Sequence, residues 1–137
     1  MAPEQLMDVL KANYAFNVIS AQAHVEANGY CRYCGEDIYA SFLNYSSSHV
    51  DHILPKSKYP NLDREPSNFA LSCFFCNQQK SDYDPLQGIE TAGSSNDPQT
   101  ALLSQREQLI KIASSHLANE LSRKKRIYNE IRGLLRS

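Results

Sequence analysis

The stretch His49-Val50-Asp51-His52-Ile53-Leu54-Pro55 alternates polar and apolar side chains and closes on a proline, the pattern of a short, exposed β-strand. A turn-rich loop leads from it to Asn68-Phe69-Ala70-Leu71-Ser72, a second strand-like segment. Cys73-Phe74-Phe75-Cys76-Asn77-Gln78-Gln79-Lys80 follows, where a helix is expected to start and to carry Asn77 and Lys80 on neighbouring turns. Strand, loop, strand, helix is therefore predicted. A two-stranded hairpin with one helix is marginal by itself in water, so another element must hold it.

That element is legible on either side of the strands. All four cysteines fall in two pairs of identical form, Cys31-Arg32-Tyr33-Cys34 and Cys73-Phe74-Phe75-Cys76, with thirty-eight residues between the pairs. Two such knuckles can offer four thiolates to one tetrahedral Zn²⁺, and a closed four-sulfur site is structural because no position stays open for water. Two disulfides or a redox motif compete for the same spacing. The amino terminus, Met-Ala-Pro-Glu-Gln-Leu-Met-Asp, has neither a basic leader nor an uninterrupted apolar segment, so a reducing, cytoplasmic setting is expected, which favours zinc. Phe74 and Phe75 are expected to fill the small core beside it.

Outside this centre the pattern is helical. Met7, Leu10, Tyr14, Val18, Ala21 and Val25 share one face of a helix over residues 4–28, ended by Asn28-Gly29. Residues 90–99 read as a loop whose Asp97-Pro98 pair matches a helix cap followed by a first-turn proline. A long helix should follow, with Leu103, Ile110, Ala113, Leu117, Leu121, Tyr128, Ile131 and Leu135 near helical spacing and Gly133 weakening its last turn. The predicted organisation is residues 1–29 as N-terminal helix, 30–89 as core with the zinc knuckles, and 90–137 as linker and basic C-terminal helix, all in one domain. The outer helices could close over the core or pair two copies, and their spacing fits both, so the oligomeric state stays open.

Composition excludes some classes of function. Hydrophobic residues make up 42% of the chain and charged ones 21%, and no run approaches the eighteen or so apolar residues a membrane span needs, so no membrane role is expected. The net charge of -1 is unevenly placed: from Ala101 onward there are eight Lys/Arg against three Asp/Glu, so the remainder is acidic. A basic arm on an acidic body can still bind a polyanion where bound metal offsets the carboxylates.

Asp51-His52-Ile53-x-Pro55, then Asn68, then Cys73-x-x-Cys76-Asn77-x-x-Lys80, together resemble the HNH endonuclease family over roughly residues 31–84. The resemblance implies an α+β protein: a ββα-metal (HNH) centre with a four-cysteine zinc site (Cys31, Cys34, Cys73, Cys76), flanked by N- and C-terminal α-helices. It further implies a hydrolase of DNA phosphodiester bonds, with His52 as general base, Asp51 and Asn77 as protein ligands of one catalytic divalent ion, and Asn68 fixing the hairpin loop and the imidazole. Such an enzyme leaves a 5′ phosphate and a 3′ hydroxyl. Oxygen donors suit Mg²⁺ or Mn²⁺, and an imidazole titrates near neutrality as a base should. Residues 55–60 and 77–82 are also similar, more loosely, to HNH nucleases of anti-phage systems such as Septu, where an ATPase is the partner.

The sequence departs from some relatives at Asn77, where they carry a histidine, and at Ser81, where they carry a third ligand. A strict strand would also point Asp51 and His52 to opposite faces, so the strand must end there or bulge. Lys80, Lys56 and Lys58 are the expected phosphate contacts, Lys80 foremost because it lies one turn beyond Asn77. Arg64 and Arg123-Lys124-Lys125-Arg126 are either backbone contacts or solvated charges. His49 reads as an exposed strand residue, and His24 and His116 are given no role. A non-catalytic zinc module that binds nucleic acid or a protein is the competing reading, as is a structural adaptor. Only the catalyst explains a base beside hard-metal ligands.

Overall fold

The computed structural model describes residues 3–14, 17–89 and 97–137. The predicted ββα unit forms: β1 (His49–His52) pairs antiparallel with β2 (Phe69–Ser72), and helix α4 (Phe74–Lys80) follows directly. Asp51 stands opposite Ala70 and His52 opposite Phe69. Cys73 caps α4, its sulfur accepting from the Cys76 amide, so a zinc-knuckle residue also starts the helix. The helix stops at Ser81, whose φ of 46° is a left-handed conformation that costs a residue with a Cβ roughly 1–3 kcal/mol.

The N-terminal helix is not continuous. α1 (Pro3–Tyr14) and α2 (Val18–Glu26) are separate, because Asn17 adopts an extended backbone and its side chain accepts from the Ser20 amide at 2.8 Å, restarting the helix. Leu10 and Ala21 are buried as the periodicity implies, whereas Val18 is exposed at the new first turn. The expected stop at Asn28-Gly29 is present, both residues having positive φ, and a Cβ on Gly29 would lie 2.8 Å from the Tyr39 ring. A short helix, α3 (Phe42–Ser46), lies between the first knuckle and β1.

Asp97 caps α5 (Pro98–Ser104) as its pairing with Pro98 predicts, accepting from the Thr100 amide. The long helix is interrupted at Gln105 and resumes as α6 (Arg106–Leu135), a helix of 30 residues that runs through Gly133 without stopping. Only its first half completes the core: Leu109, Ile110, Ala113 and Leu117 pack with Ala101 and Leu102 against Ile38, Ile53, Leu54 and Leu71. Every residue from Ser122 to the end is exposed, so Tyr128, Ile131 and Leu135 keep the spacing of a buried face with nothing covering them among the described residues. Leu103 is exposed too.

Arg106 fastens α6 to the hairpin, donating to the carbonyls of Ser67 and Phe69 at 2.8 and 2.7 Å and pairing with Glu26 of α2 at 2.7 Å. No described helix is long and apolar enough to cross a membrane.

Candidate active site and metal centre

The four sulfurs of Cys31, Cys34, Cys73 and Cys76 lie within 4.8 Å of one another, and all four cysteines are free. Cys34 Sγ and Cys73 Sγ are 3.7 Å apart. The edge of a tetrahedron with Zn–S bonds near 2.3 Å is about 3.8 Å, so the sulfurs are spaced for one zinc rather than for two disulfides. Of the two phenylalanines between the knuckle cysteines, Phe75 packs on the core but Phe74 is half exposed, beside the His49 ring. Tyr33 fills the core from the first knuckle instead.

Asp51 is buried beside α4 and bonded by three donors. Its Oδ2 accepts from the Tyr33 hydroxyl at 2.6 Å and lies 3.1 Å from Lys80 Nζ, while its Oδ1 accepts from Asn77 Nδ2 at 3.2 Å. Burial first, then the neighbouring Asp51 carboxylate, hold the Tyr33 phenol well above its ordinary pKa, so the hydroxyl remains a donor. Lys80 is thus not at the surface, where its position after Asn77 leads one to expect a phosphate contact. Its side chain is 0% exposed, and it spends its charge on Asp51 and on the His52 carbonyl at 2.7 Å. An unpaired ammonium in that position would be costly, and the adjacent carboxylate is what makes its burial tolerable.

The strand alternates as its geometry demands and ends at His52, with no bulge. Asp51 turns towards α4, and His52 turns across the hairpin, its ring 4.7 Å from that of Phe69. His52 Nε2 meets the Asp63 carbonyl at 2.9 Å and the Asp63 carboxylate at 3.0 Å. Both partners can only accept, so Nε2 is the donor to Asp63.

Asn68 is completely buried and clamps the loop that supplies this partner: Oδ1 accepts from the Leu54 amide at 2.7 Å, and Nδ2 donates to the carbonyls of Leu54 and Leu62 at 3.0 and 3.2 Å. It therefore ties Leu54 to Leu62, the residue before Asp63, and does not itself line the cleft described next.

Despite their divergent directions, Asp51 and His52 both border one open cleft of about 640 Å³, together with Pro55, Lys56, Ser57, Pro60, Ser81 and Asp82. Lys56 is an exposed cation at its rim, and Lys58 is exposed but outside the lining. Tyr33, Asp63 and Asp82 are absent from the set that the sequence leads one to expect. Asp82 follows the strained Ser81 and brings a second carboxylate to the cleft wall, a feature visible in the sequence only as one more acidic residue after the helix.

The donor set fits a hard cation. Neighbouring oxygens around an octahedral Mg²⁺ with bonds near 2.1 Å are about 3 Å apart, and Asp51 Oδ1 and the Asn77 amide are separated by 3.2 Å. To serve as a ligand the amide would have to turn its oxygen in place of its nitrogen and give up this hydrogen bond, and Asn77 itself stands outside the cleft lining.

A ββα hairpin and helix, stapled by four cysteines and carrying Asp-His at the end of its first strand, define a class of metal-finger domain. The family model described as HNH endonuclease matches residues 31–83, so this segment is an HNH domain, and its presence points to a nuclease-type function. Searches of curated proteins and of solved structures gave no match.

Proposed function

We propose that the chain is a divalent-cation-dependent endonuclease that hydrolyses DNA phosphodiester bonds in the cleft bordered by Asp51, His52 and Asp82. The observation that carries this reading is the placement of His52: its Nε2 is held by Asp63, and its side chain borders the same cleft as Asp51 and Asp82. Asp51 and Asn77 would hold Mg²⁺ or Mn²⁺, which supplies positive charge to the phosphate oxygens as charge builds on them. His52 takes the proton as the water oxygen attacks phosphorus, the bond from phosphorus to the 3′ oxygen breaks, and that oxygen takes a proton from a solvent water. The products are a 5′ phosphate and a 3′ hydroxyl. Lys56 and Lys58 meet the DNA backbone. DNA as substrate rests on the family match.

Two finer readings rest on less. The likeness of residues 55–60 and 77–82 to anti-phage nucleases supports a defence effector working beside an ATPase. The four free cysteines suit a reducing, cytoplasmic compartment. A non-catalytic zinc module is favoured by one observation, that protein donors already satisfy Asp51.

Supercoiled plasmid incubated with the zinc-loaded protein and Mg²⁺ or Mn²⁺, alongside His52→Ala, separates these readings. The catalyst nicks or linearises the plasmid and His52→Ala does not. If both proteins bind the plasmid equally and leave it intact, the binding module is correct.

A further inference from the structure

In the sequence Tyr33 has no role beyond lying between two zinc-site cysteines. The structure points its hydroxyl at Asp51, eighteen residues away. We propose that Tyr33 is a positioning residue that sets the cleft's cation preference, by holding Oδ2 of Asp51 so that the carboxylate offers a cation Oδ1 alone. The inference rests on reading Asp51 as a cation ligand.

The two carboxylate oxygens have unlike surroundings. Oδ2 is held by Tyr33 at 2.6 Å and by Lys80 at 3.1 Å, both from side chains buried in the core. Among the described residues Oδ1 has only the Asn77 amide, at 3.2 Å, from a side chain that is partly exposed. Tyr33 cannot swing away. It is 4% exposed, its carbonyl accepts from Ser114 of α6 at 2.5 Å, and its chain neighbourhood is pinned by Cys31 and Cys34 in the sulfur cluster. The zinc knuckle thus reaches through one phenol to the carboxylate of the other centre.

Coordination chemistry gives this arrangement its consequence. Small ions such as Mg²⁺ take six ligands in near-octahedral order and accept one oxygen from each carboxylate, whereas the larger Ca²⁺ takes six to eight and readily accepts both. Turning Asp51 to offer both oxygens would break the Tyr33 hydrogen bond and part Oδ2 from Lys80. The pocket therefore disfavours Ca²⁺ through the protein behind the ligand, with no steric block at the cleft mouth.

The test uses the zinc-loaded chain of 137 residues and binding rather than cleavage. Bound Mn²⁺ is measured from the loss of its free EPR signal, then displaced by Mg²⁺ and, separately, by Ca²⁺. Wild type should release Mn²⁺ to Mg²⁺ more readily than to Ca²⁺. Tyr33→Phe, with zinc content and circular dichroism unchanged, should shift that ratio about tenfold towards Ca²⁺, the size of one hydrogen bond to a charged group. A ratio unchanged within about twofold overturns the inference while leaving Asp51 a ligand. If Tyr33→Phe loses its zinc, Lys80→Met strips the other donor from Oδ2 and should move the ratio in the same direction. A wild-type protein that yields Mn²⁺ to Ca²⁺ as readily as to Mg²⁺ overturns the inference without any variant. If Asp51→Asn binds as much Mn²⁺ as wild type, Asp51 is no ligand, and the proposed function loses its cation site together with this inference.

Discussion

The four-thiol cluster and the Asp51 cleft sit at opposite ends of α4, one at Cys73 and Cys76 and the other at Lys80 and Ser81, yet they are satisfied in opposite ways. In the cluster the sulfurs have chiefly one another for company, and Cys73 receives a weak bond from the Cys76 amide. Four thiols gathered at one point, two of them buried, have no reason to converge without a metal. The Asp51 carboxylate is already complete, with Tyr33, Lys80 and Asn77 supplying donors to both oxygens. The contrast separates a site that needs an ion in order to fold from the one proposed to use an ion in chemistry: a site that is unsatisfied alone must bind to fold, and one that is satisfied alone could exchange an ion and stay folded.

Stripping zinc is accordingly the harshest way to test the contrast. Removing it with a strong chelator, or replacing Cys76 with serine, should withdraw on the order of 10 kcal/mol and melt the hairpin, α4 and the base of α6 together. Circular dichroism followed during titration with chelator reads this directly. Withdrawing Mg²⁺ while zinc remains bound should abolish cleavage and lower stability by no more than the mass-action term, about 1–3 kcal/mol at ordinary concentrations. Equal unfolding in both cases would erase the distinction.

His52→Ala carries the next largest effect and confines it to one end of α4. Cleavage should fall by about 10² to 10⁴. Stability should change by about 1 kcal/mol, since the hydrogen bond it removes is to a partly exposed partner. Single-turnover cleavage beside a denaturant melt separates the two quantities.

Asn68→Ala strikes the loop behind the Asp51 cleft. It leaves the Leu54 amide and the Leu54 and Leu62 carbonyls without partners in a wholly buried place, for a loss of about 3 kcal/mol. It also loosens the loop that carries His52's acceptor, so cleavage should fall even below the melting transition, with zinc content intact. A variant that loses stability alone would show that His52 keeps its orientation without this clamp.

How far the sequence discloses these features depends on whether neighbours along the chain or across it create them. Cys31, Cys34, Cys73 and Cys76 announce their site by spacing, and Asp97-Pro98 announces a cap because both partners lie within one helical turn. The hairpin follows from alternation, and Asn68 from the family pattern. Lys80 is misplaced by sequence reasoning because lysine is almost always exposed, and its burial depends on a carboxylate 29 residues earlier. Tyr33 and Asp63 act across 18 and 11 residues through side-chain interactions that no periodicity encodes. The break at Asn17 hides in a stretch whose apolar spacing continues through it. For α6 the spacing marks a face but not its cover, so the stripe from Leu109 to Leu135 reads as uniform although only its first half is buried.

The mildest perturbation tests where the cleft ends. Lys56 is two-thirds exposed, 3.8 Å from Asp63 Oδ2, and lines the same cleft as His52, whereas Lys58, two residues on, does not. An exposed pair at that distance is worth little to folding, so Lys56→Ala should alter stability by less than about 0.5 kcal/mol. Removing a phosphate-binding charge from the rim weakens the hold on substrate before and during the reaction alike, so KM should rise about threefold with kcat nearly constant, and the salt dependence of DNA binding should lessen by roughly one ion. Lys58→Ala should change cleavage by less than Lys56→Ala does. Should kcat fall about tenfold at saturating DNA in Lys56→Ala, this lysine acts on His52 through their shared partner Asp63, and the chemical end of α4 extends to the rim.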